Sequence, residues 1–140
     1  MPENPPQGTQ RIVPYLIYAD APAALEFLCR AFGFEERFRL PMPDGRIGHA
    51  ELGCQGNALM LASVYDEMGF ASPRDLSANH GQVLCYVDDV DAHYTRARSA
   101  GATVIQEPRD EPHGDRAYRA LDPEGHRWIF ATHVRDVPSI

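Results

Sequence analysis

Two side chains on one short segment have the residue types of an acid–base pair. His49 and Glu51 are two residues apart, and residues i and i+2 of a β-strand share one face. An imidazole and a carboxylate on a common face can exchange protons with a substrate, or can form a weak two-donor set for a cation. The simpler interpretation is a structural hydrogen-bonding pair at the rim of a site.

No other titratable side chains form a recognisable catalytic motif. The sequence contains no Gly-rich phosphate loop, no nucleophile elbow and no readable Cys/His dyad. His126 falls in a predicted tight turn, where we expect structural hydrogen bonding. The remaining histidines lack an acidic partner at ligand spacing and are predicted to be surface residues: His80, His93, His113 and His133.

The composition predicts a soluble, cytoplasmic protein that binds neither nucleic acid nor membranes. A chain of 140 residues with 44% hydrophobic content fits one compact domain. The net charge of −7 without a basic patch argues against phosphate contacts. The chain has no secretory leader pattern and no run near the roughly 18 apolar residues needed to cross a bilayer. Three cysteines without paired or zinc-ligand spacing predict free thiols in a reducing compartment.

A constant offset of 69 residues relates two halves of the chain. It superposes Asp20 on Asp89, Pro43 on Pro112, Gly45 on Gly114 and Gly56 on Gly125. Backbone geometry dictates such residues, so the matches predict two copies of one backbone path. We predict a flexible N-terminal arm (1–10), a first module (11–62), a linker or lid (63–79) and a second module (80–134).

Each half is predicted to form one strand, one helix and three further strands. In the first half these are residues 11–18, 21–32, 34–40, 48–52 and 58–62, with a loop at 41–45. In the second half they are residues 82–87, 90–100, 103–106, 116–121 and 127–131, with a loop at 108–114. Asp20 and Asp89 suit helix N-caps, and Gly33 and Gly101 suit helix ends.

The repeat leaves open which strand face carries His49 and Glu51. Their neighbours Ala50 and Leu52 look like core residues, which would turn the pair toward a cleft. At the offset of 69, however, the pair falls on Tyr118 and Ala120, which look partly core-like.

Two motifs resemble the vicinal oxygen chelate superfamily, which includes glyoxalase I, bleomycin-resistance proteins and extradiol dioxygenases. One is the string Tyr-Val-Asp-Asp-Val-Asp at residues 86–91, and the other is Asp-Pro-Glu-Gly-His-Arg-Trp at residues 122–128. The resemblance implies an α+β fold in which two βαβββ modules pair into a curved mixed sheet around a cleft. It also implies a homodimer.

Metal-dependent members of that family carry ligands on the first and closing strands of each module. The family spacing points here to Val13, Met60, Gln82 and Ile129. Hydrocarbon side chains offer no donor atom and a thioether is a poor ligand for hard ions, so we predict no metal and no cofactor at this site.

Strand alternation turns these four positions and their i±2 neighbours toward the cleft. We therefore predict a mainly apolar and aromatic ligand site, lined by Val13, Tyr15, Ile17, Met60, Gln82, Leu84, Tyr86, Arg127 and Ile129. Trp128 and Phe130 alternate with the last two and are predicted to lie in the core under the helices.

The first functional hypothesis is a metal-free, homodimeric binding protein that sequesters or carries a small aromatic or antibiotic-like molecule, similar to bleomycin-resistance proteins. The alternative is a lyase, isomerase or dioxygenase that uses a divalent ion held by His49, Glu51, Gln82 and groups of a partner chain. A third hypothesis is metal-free acid–base catalysis by His49 and Glu51.

Overall fold

Two βαβββ modules succeed one another along the chain in a computed structural model that describes residues 2–138. Met1 of the predicted arm lies outside this range. The first module contains β1 (Tyr15–Tyr18), α1 (Ala21–Phe32), β2 (Glu35–Pro41), β3 (Ile47–Cys54) and β4 (Asn57–Ser63). The second contains β5 (Val83–Tyr86), α2 (Val90–Ser99), β6 (Thr103–Asp110), β7 (Asp115–Leu121) and β8 (Arg127–His133). The predicted fold class is confirmed.

Both helices begin where their capping residues predict; α1 also ends there, whereas α2 ends at Ser99, one residue before its predicted end. The Asp20 carboxylate accepts a hydrogen bond from the Ala23 amide at 3.1 Å, and Asp89 does the same for Ala92 at 3.1 Å. Gly33 ends α1 with a φ of 78°, in the left-handed region that favours glycine. This punctuation fixes where each chain segment returns to its sheet.

Each module forms a four-stranded sheet in which the first strand lies parallel to the last. The strand orders are β1-β4-β3-β2 and β5-β8-β7-β6. One face of each sheet packs against the helices, and there the aromatic core contains Trp128 and Phe130 with their rings stacked at 5.7 Å. Both are at most 1% exposed, so their predicted core position is confirmed.

The two modules are joined by the turn at residues 122–126. The buried Asp122 carboxylate accepts hydrogen bonds from the Tyr18 hydroxyl of the first module and from the Trp128 indole at 3.1 Å. The buried Glu124 carboxylate accepts from the amides of Ala19 and Asp20 at 2.7 and 2.8 Å. The motif at residues 122–128, one of the two that carried the family resemblance, thus links the two modules by hydrogen bonds.

His93 was predicted to lie on the surface, and that prediction is wrong. Its ring stacks against Phe32 and lies 4.2 Å from the Phe130 ring centroid. One ring nitrogen faces the Phe32 carbonyl at 2.9 Å and the other faces the Tyr118 hydroxyl at 2.6 Å. Burial lowers the pKa of His93, which favours the neutral form in this core.

Strand boundaries differ from the prediction by more than two residues at two places. β1 begins at Tyr15 rather than at residue 11. β6 extends to Asp110 through the predicted loop that includes Pro108. It is an edge strand with a register irregularity between Gln106 and Arg109, and such positions tolerate a proline.

The offset between the modules is not constant. Strands β1 and β4 keep the offset of 69, because Tyr15 lies beside Met60 as Leu84 lies beside Ile129. In the third strands it falls to 68, because Glu51 lies opposite Met60 whereas Arg119 lies opposite Ile129. The register shift between Leu40 and Pro41 leaves Gly48 as one extra residue of β3.

The segments outside the modules contact them. Gln10 exchanges two hydrogen bonds with the Ala58 backbone, both at 2.7 Å, and the Gly8 carbonyl accepts one from Arg37. The connection between the modules contains two single-turn 3-10 helices, Asp66–Met68 and Pro73–Asp75. Within residues 2–138, no helix has the length and apolar character to span a membrane.

Candidate functional site

The sheet faces turned away from the helices carry the predicted site residues; we call them the open faces. On the first sheet, one cross-strand row consists of Tyr15, Met60, Glu51 and Phe38. Ala50 and Leu52 point the other way and are 0% exposed. His49 and Glu51 therefore lie on the open face, as their own strand pattern suggested.

His49 stands between two polar partners on this face. One ring nitrogen lies 3.1 Å from a Glu51 carboxylate oxygen, and the other lies 2.7 Å from the Tyr15 hydroxyl. A carboxylate only accepts, so Nε2 of a neutral His49 donates to Glu51 and Nδ1 accepts from Tyr15. The three groups form a hydrogen-bonded chain that ends at the exposed Tyr15 side chain.

The hydrogen-bonded chain ends in a neutral and weakly acidic phenol at Tyr15. Burial and then the charge of Glu51 raise the pKa of Tyr15, so the phenol keeps its proton near neutral pH. The His49 and Glu51 side chains are 28% and 29% exposed. A molecule on the open face can therefore reach this chain of groups.

The second sheet presents the equivalent row with different chemistry. This row takes one residue from each of the four strands and consists of Leu84, Ile129, Arg119 and Gln106. Arg119 occupies the place that Glu51 occupies in the first sheet. The open face of the second sheet is apolar beside Arg119, because a small buried cluster there consists of Ala117, Ile129 and Ala131.

A buried carboxylate marks the end of this second open face. Asp115 is 2% exposed and accepts hydrogen bonds from Tyr86 at 2.9 Å and from His133 at 2.8 Å, while His113 lies 3.3 Å away. Burial would raise the pKa of Asp115, but the hydrogen bonds from His133 and Tyr86 outweigh it and keep the pKa low. His113 and His133 have exposed side chains, as predicted, but both have an acidic partner that their spacing did not indicate, because strand pairing brings Asp115 opposite His133.

Two of the cavities along the seam between the modules contain predicted site residues in their walls. One, of about 400 Å³, has Tyr15, Ile17, Gln82 and Arg127 in its wall together with the connecting segment. The other, of about 490 Å³, has Leu84 and Tyr86 in its wall together with the N-terminal segment. Both volumes are in the range of small-molecule sites.

Three predicted ligand residues, Val13, Met60 and Ile129, line neither cavity. Met60 and Ile129 lie centrally in the open-face rows described above. Val13 lies just before β1 and Gln82 just before β5. The predicted set is thus spread over the two open faces and the seam between them.

The donor atoms at these positions do not fit a divalent ion. Val13 and Ile129 offer hydrocarbon, Met60 offers a thioether, and Gln82 contributes a single amide. Among residues 2–138, no group of three or more His, Cys, Asp or Glu side chains is placed to hold a metal ion. No chemical step is therefore assigned to a metal here.

Two residues of these faces were missed by the sequence reasoning. Arg119 was missed because the uniform offset of 69 made Ala120, rather than Arg119, the repeat equivalent of Glu51. Asp115 was missed because its partners come from three separate segments. The alternation of Tyr118 and Ala120, both 0% exposed, was the signal that could have found Arg119.

Comparison with known proteins gives consistent matches. The family model described as glyoxalase/bleomycin resistance protein/dioxygenase superfamily matches residues 10–130. Uncharacterized proteins of Mycobacterium bovis and Mycobacterium tuberculosis are each 37% identical over 127 residues, which is 89% of this chain and 84% and 75% of theirs. The crystal structure of TioX from Micromonospora sp. ML1 is 36% identical with a TM-score of 0.70, covering 89% of this chain and 99% of that one.

Proposed function

The chain belongs to the glyoxalase/bleomycin resistance protein/dioxygenase superfamily, and from this premise we propose that it is a homodimeric, cytoplasmic protein that binds a small aromatic or antibiotic-like molecule without a metal. The observation that carries the proposal is the replacement of metal donors by hydrocarbon beside exposed aromatic side chains. Tyr15 and Tyr86 are 47% and 57% exposed on the open faces.

The exposed apolar surface supports a ligand-binding role. Leu84 on β5 is 45% exposed and Phe38 on β2 is 48% exposed, and both point away from the core. Rigid aromatic and aliphatic groups of this kind can hold a flat molecule by burial of apolar area, at roughly 25 cal/mol per Å². The polar groups beside them would orient the bound molecule.

Thermal shift with a panel of aromatic and glycopeptide-like compounds tests the proposal. A ligand at 100 times its dissociation constant should add about 2.7 kcal/mol to the free energy of unfolding. The variant Leu84→Arg should lose that shift, because the guanidinium intrudes on an apolar wall. The matched control Met68→Arg changes an exposed methionine of the connecting segment and should keep it.

Two results would count against binding on the open faces. If no compound raises the unfolding midpoint, the carrier role has no support. If a compound stabilises wild type and Leu84→Arg equally, it binds elsewhere. Sedimentation equilibrium tests the dimer, and a mass of one chain at micromolar concentration would refute it.

The geometry of His49 favours a second candidate, metal-free acid–base catalysis. The hydrogen bonds to Glu51 and Tyr15 orient the imidazole on an accessible face. In that case His49→Ala should abolish turnover while the fold and ligand binding persist. A metal-dependent lyase, isomerase or dioxygenase predicts instead that protein purified without chelator carries metal, and less than about a tenth of an equivalent would refute it.

A further inference from the structure

We propose that Arg119 binds an oxyanion group, such as a carboxylate, of the molecule held on the open face of the second sheet. This inference rests on the proposed function and names the chemical class of the ligand: an aromatic molecule that bears a negative charge. It assigns a role to a residue that the family's metal positions do not include.

The Arg119 side chain has an unsatisfied hydrogen-bond donor. Its Nε atom is buried and has no hydrogen-bond partner among the residues the structure describes. A buried donor without an acceptor is unfavourable, and Arg119 as a whole is only partly buried. The nearby Glu111 carboxylate is already bound by Arg109 at 3.0 Å and by Gln106 at 3.1 Å.

The surface around Arg119 is largely apolar. On β8 it lies opposite Ile129, which is 9% exposed, and on β6 it lies opposite Gln106. In the same row Leu84 provides an exposed apolar side chain at the sheet edge. A ligand can therefore place hydrocarbon over Leu84 and Ile129 while its charged group reaches the guanidinium.

The first module carries the opposite charge at the equivalent place. Glu51 holds in the row of the first sheet the position that Arg119 holds in the row of the second. A carboxylate ligand would be repelled by Glu51 and attracted by Arg119, because Coulomb interactions gain strength away from bulk water. Within these two rows, the charges thus favour the second sheet for an anion.

The test compares two probes, 2-naphthoate and its uncharged amide, by calorimetric titration. Wild type should bind the carboxylate at least about 10-fold more tightly than the amide. The reason is that hydrogen bonds between arginine and a carboxylate are charge-assisted and stronger than hydrogen bonds between neutral groups. Arg119→Met should bind both probes equally. The control Arg30→Met makes the same charge change on α1, away from the open faces, and should keep the preference.

Each outcome bears on one claim. An undiminished carboxylate preference in Arg119→Met overturns this inference, and so does amide binding to wild type with no carboxylate preference. Failure of wild type to bind either probe overturns the proposed function for such aromatic molecules, and this inference with it. If Arg119→Met does not fold, Arg119→Lys serves instead: it lacks the Nε donor and should lose most of the preference.

Discussion

Replacing Asp122 with alanine should destabilise the protein strongly. The Asp122 side chain accepts four hydrogen bonds, from Tyr18, Trp128 and the amides of Glu124 and His126. Asp122 is 3% exposed, and Tyr18 and Trp128 are each 1% exposed. The phenol and the indole would lose their acceptor where water has little access, at about 1–3 kcal/mol each. We expect a loss of about 3–5 kcal/mol in the free energy of unfolding.

Urea denaturation monitored by tryptophan fluorescence measures this loss, since Trp128 is the single tryptophan. With a slope of roughly 2 kcal/mol per molar urea, the midpoint should fall by about 2 M. Asp122→Asn retains one acceptor oxygen and should lose about half as much. Glu26→Ala, whose side chain is 77% exposed, should change the midpoint little. A loss below about 1 kcal/mol in Asp122→Ala would refute the reasoning, because it would mean that the donors find other acceptors.

Two further predictions concern side chains outside the proposed ligand contacts. Hydrogen bonds to Asp115 and then Asp136 raise the pKa of His133. A folded-state pKa above the unfolded-state pKa of about 6.5 stabilises the folded protein at pH values below the unfolded-state pKa. This stabilisation is lost as the pH rises through the folded-state pKa. His133→Gln should therefore lower the thermal midpoint more at about pH 5.5 than at about pH 8.5, and an equal effect at both would contradict this. The Sγ atoms of Cys54 and Cys85 lie 3.7 Å apart, so one equivalent of hydrogen peroxide should join them with release of two waters. One of the three thiols would then remain titratable, and retention of all three would contradict the prediction.

The elements that sequence alone predicted well have local causes. Helix α1 was predicted with its observed bounds, because the Asp20 side chain caps the amides of the next turn and Gly33 adopts a left-handed φ of 78°. The apolar stripe of the helix then identified the core face. The two sides of β8 were assigned from strand alternation, which placed Trp128 in the core and Ile129 on the open face.

The features that sequence missed depend on contacts between distant segments. Nothing local to Gly48 distinguishes an extra strand residue from an ordinary one; the irregularity exists only in its pairing with β2. Asp115 lies 18 residues from His133 and 29 from Tyr86, and only the sheet and the C-terminal segment bring them together. His93 likewise looked like a surface residue until α1 placed the Phe32 carbonyl beside it.

The extra residue at Gly48 changes which side chains take equivalent places on the two open faces. Without it, both third strands would keep one register with respect to their loops, and the open faces would carry different side chains. With it, Glu51 and Arg119 become equivalent, so a duplicated frame presents opposite charges at matching places. Under the proposal above, an anionic group therefore meets Arg119 on the second sheet where it would meet Glu51 on the first.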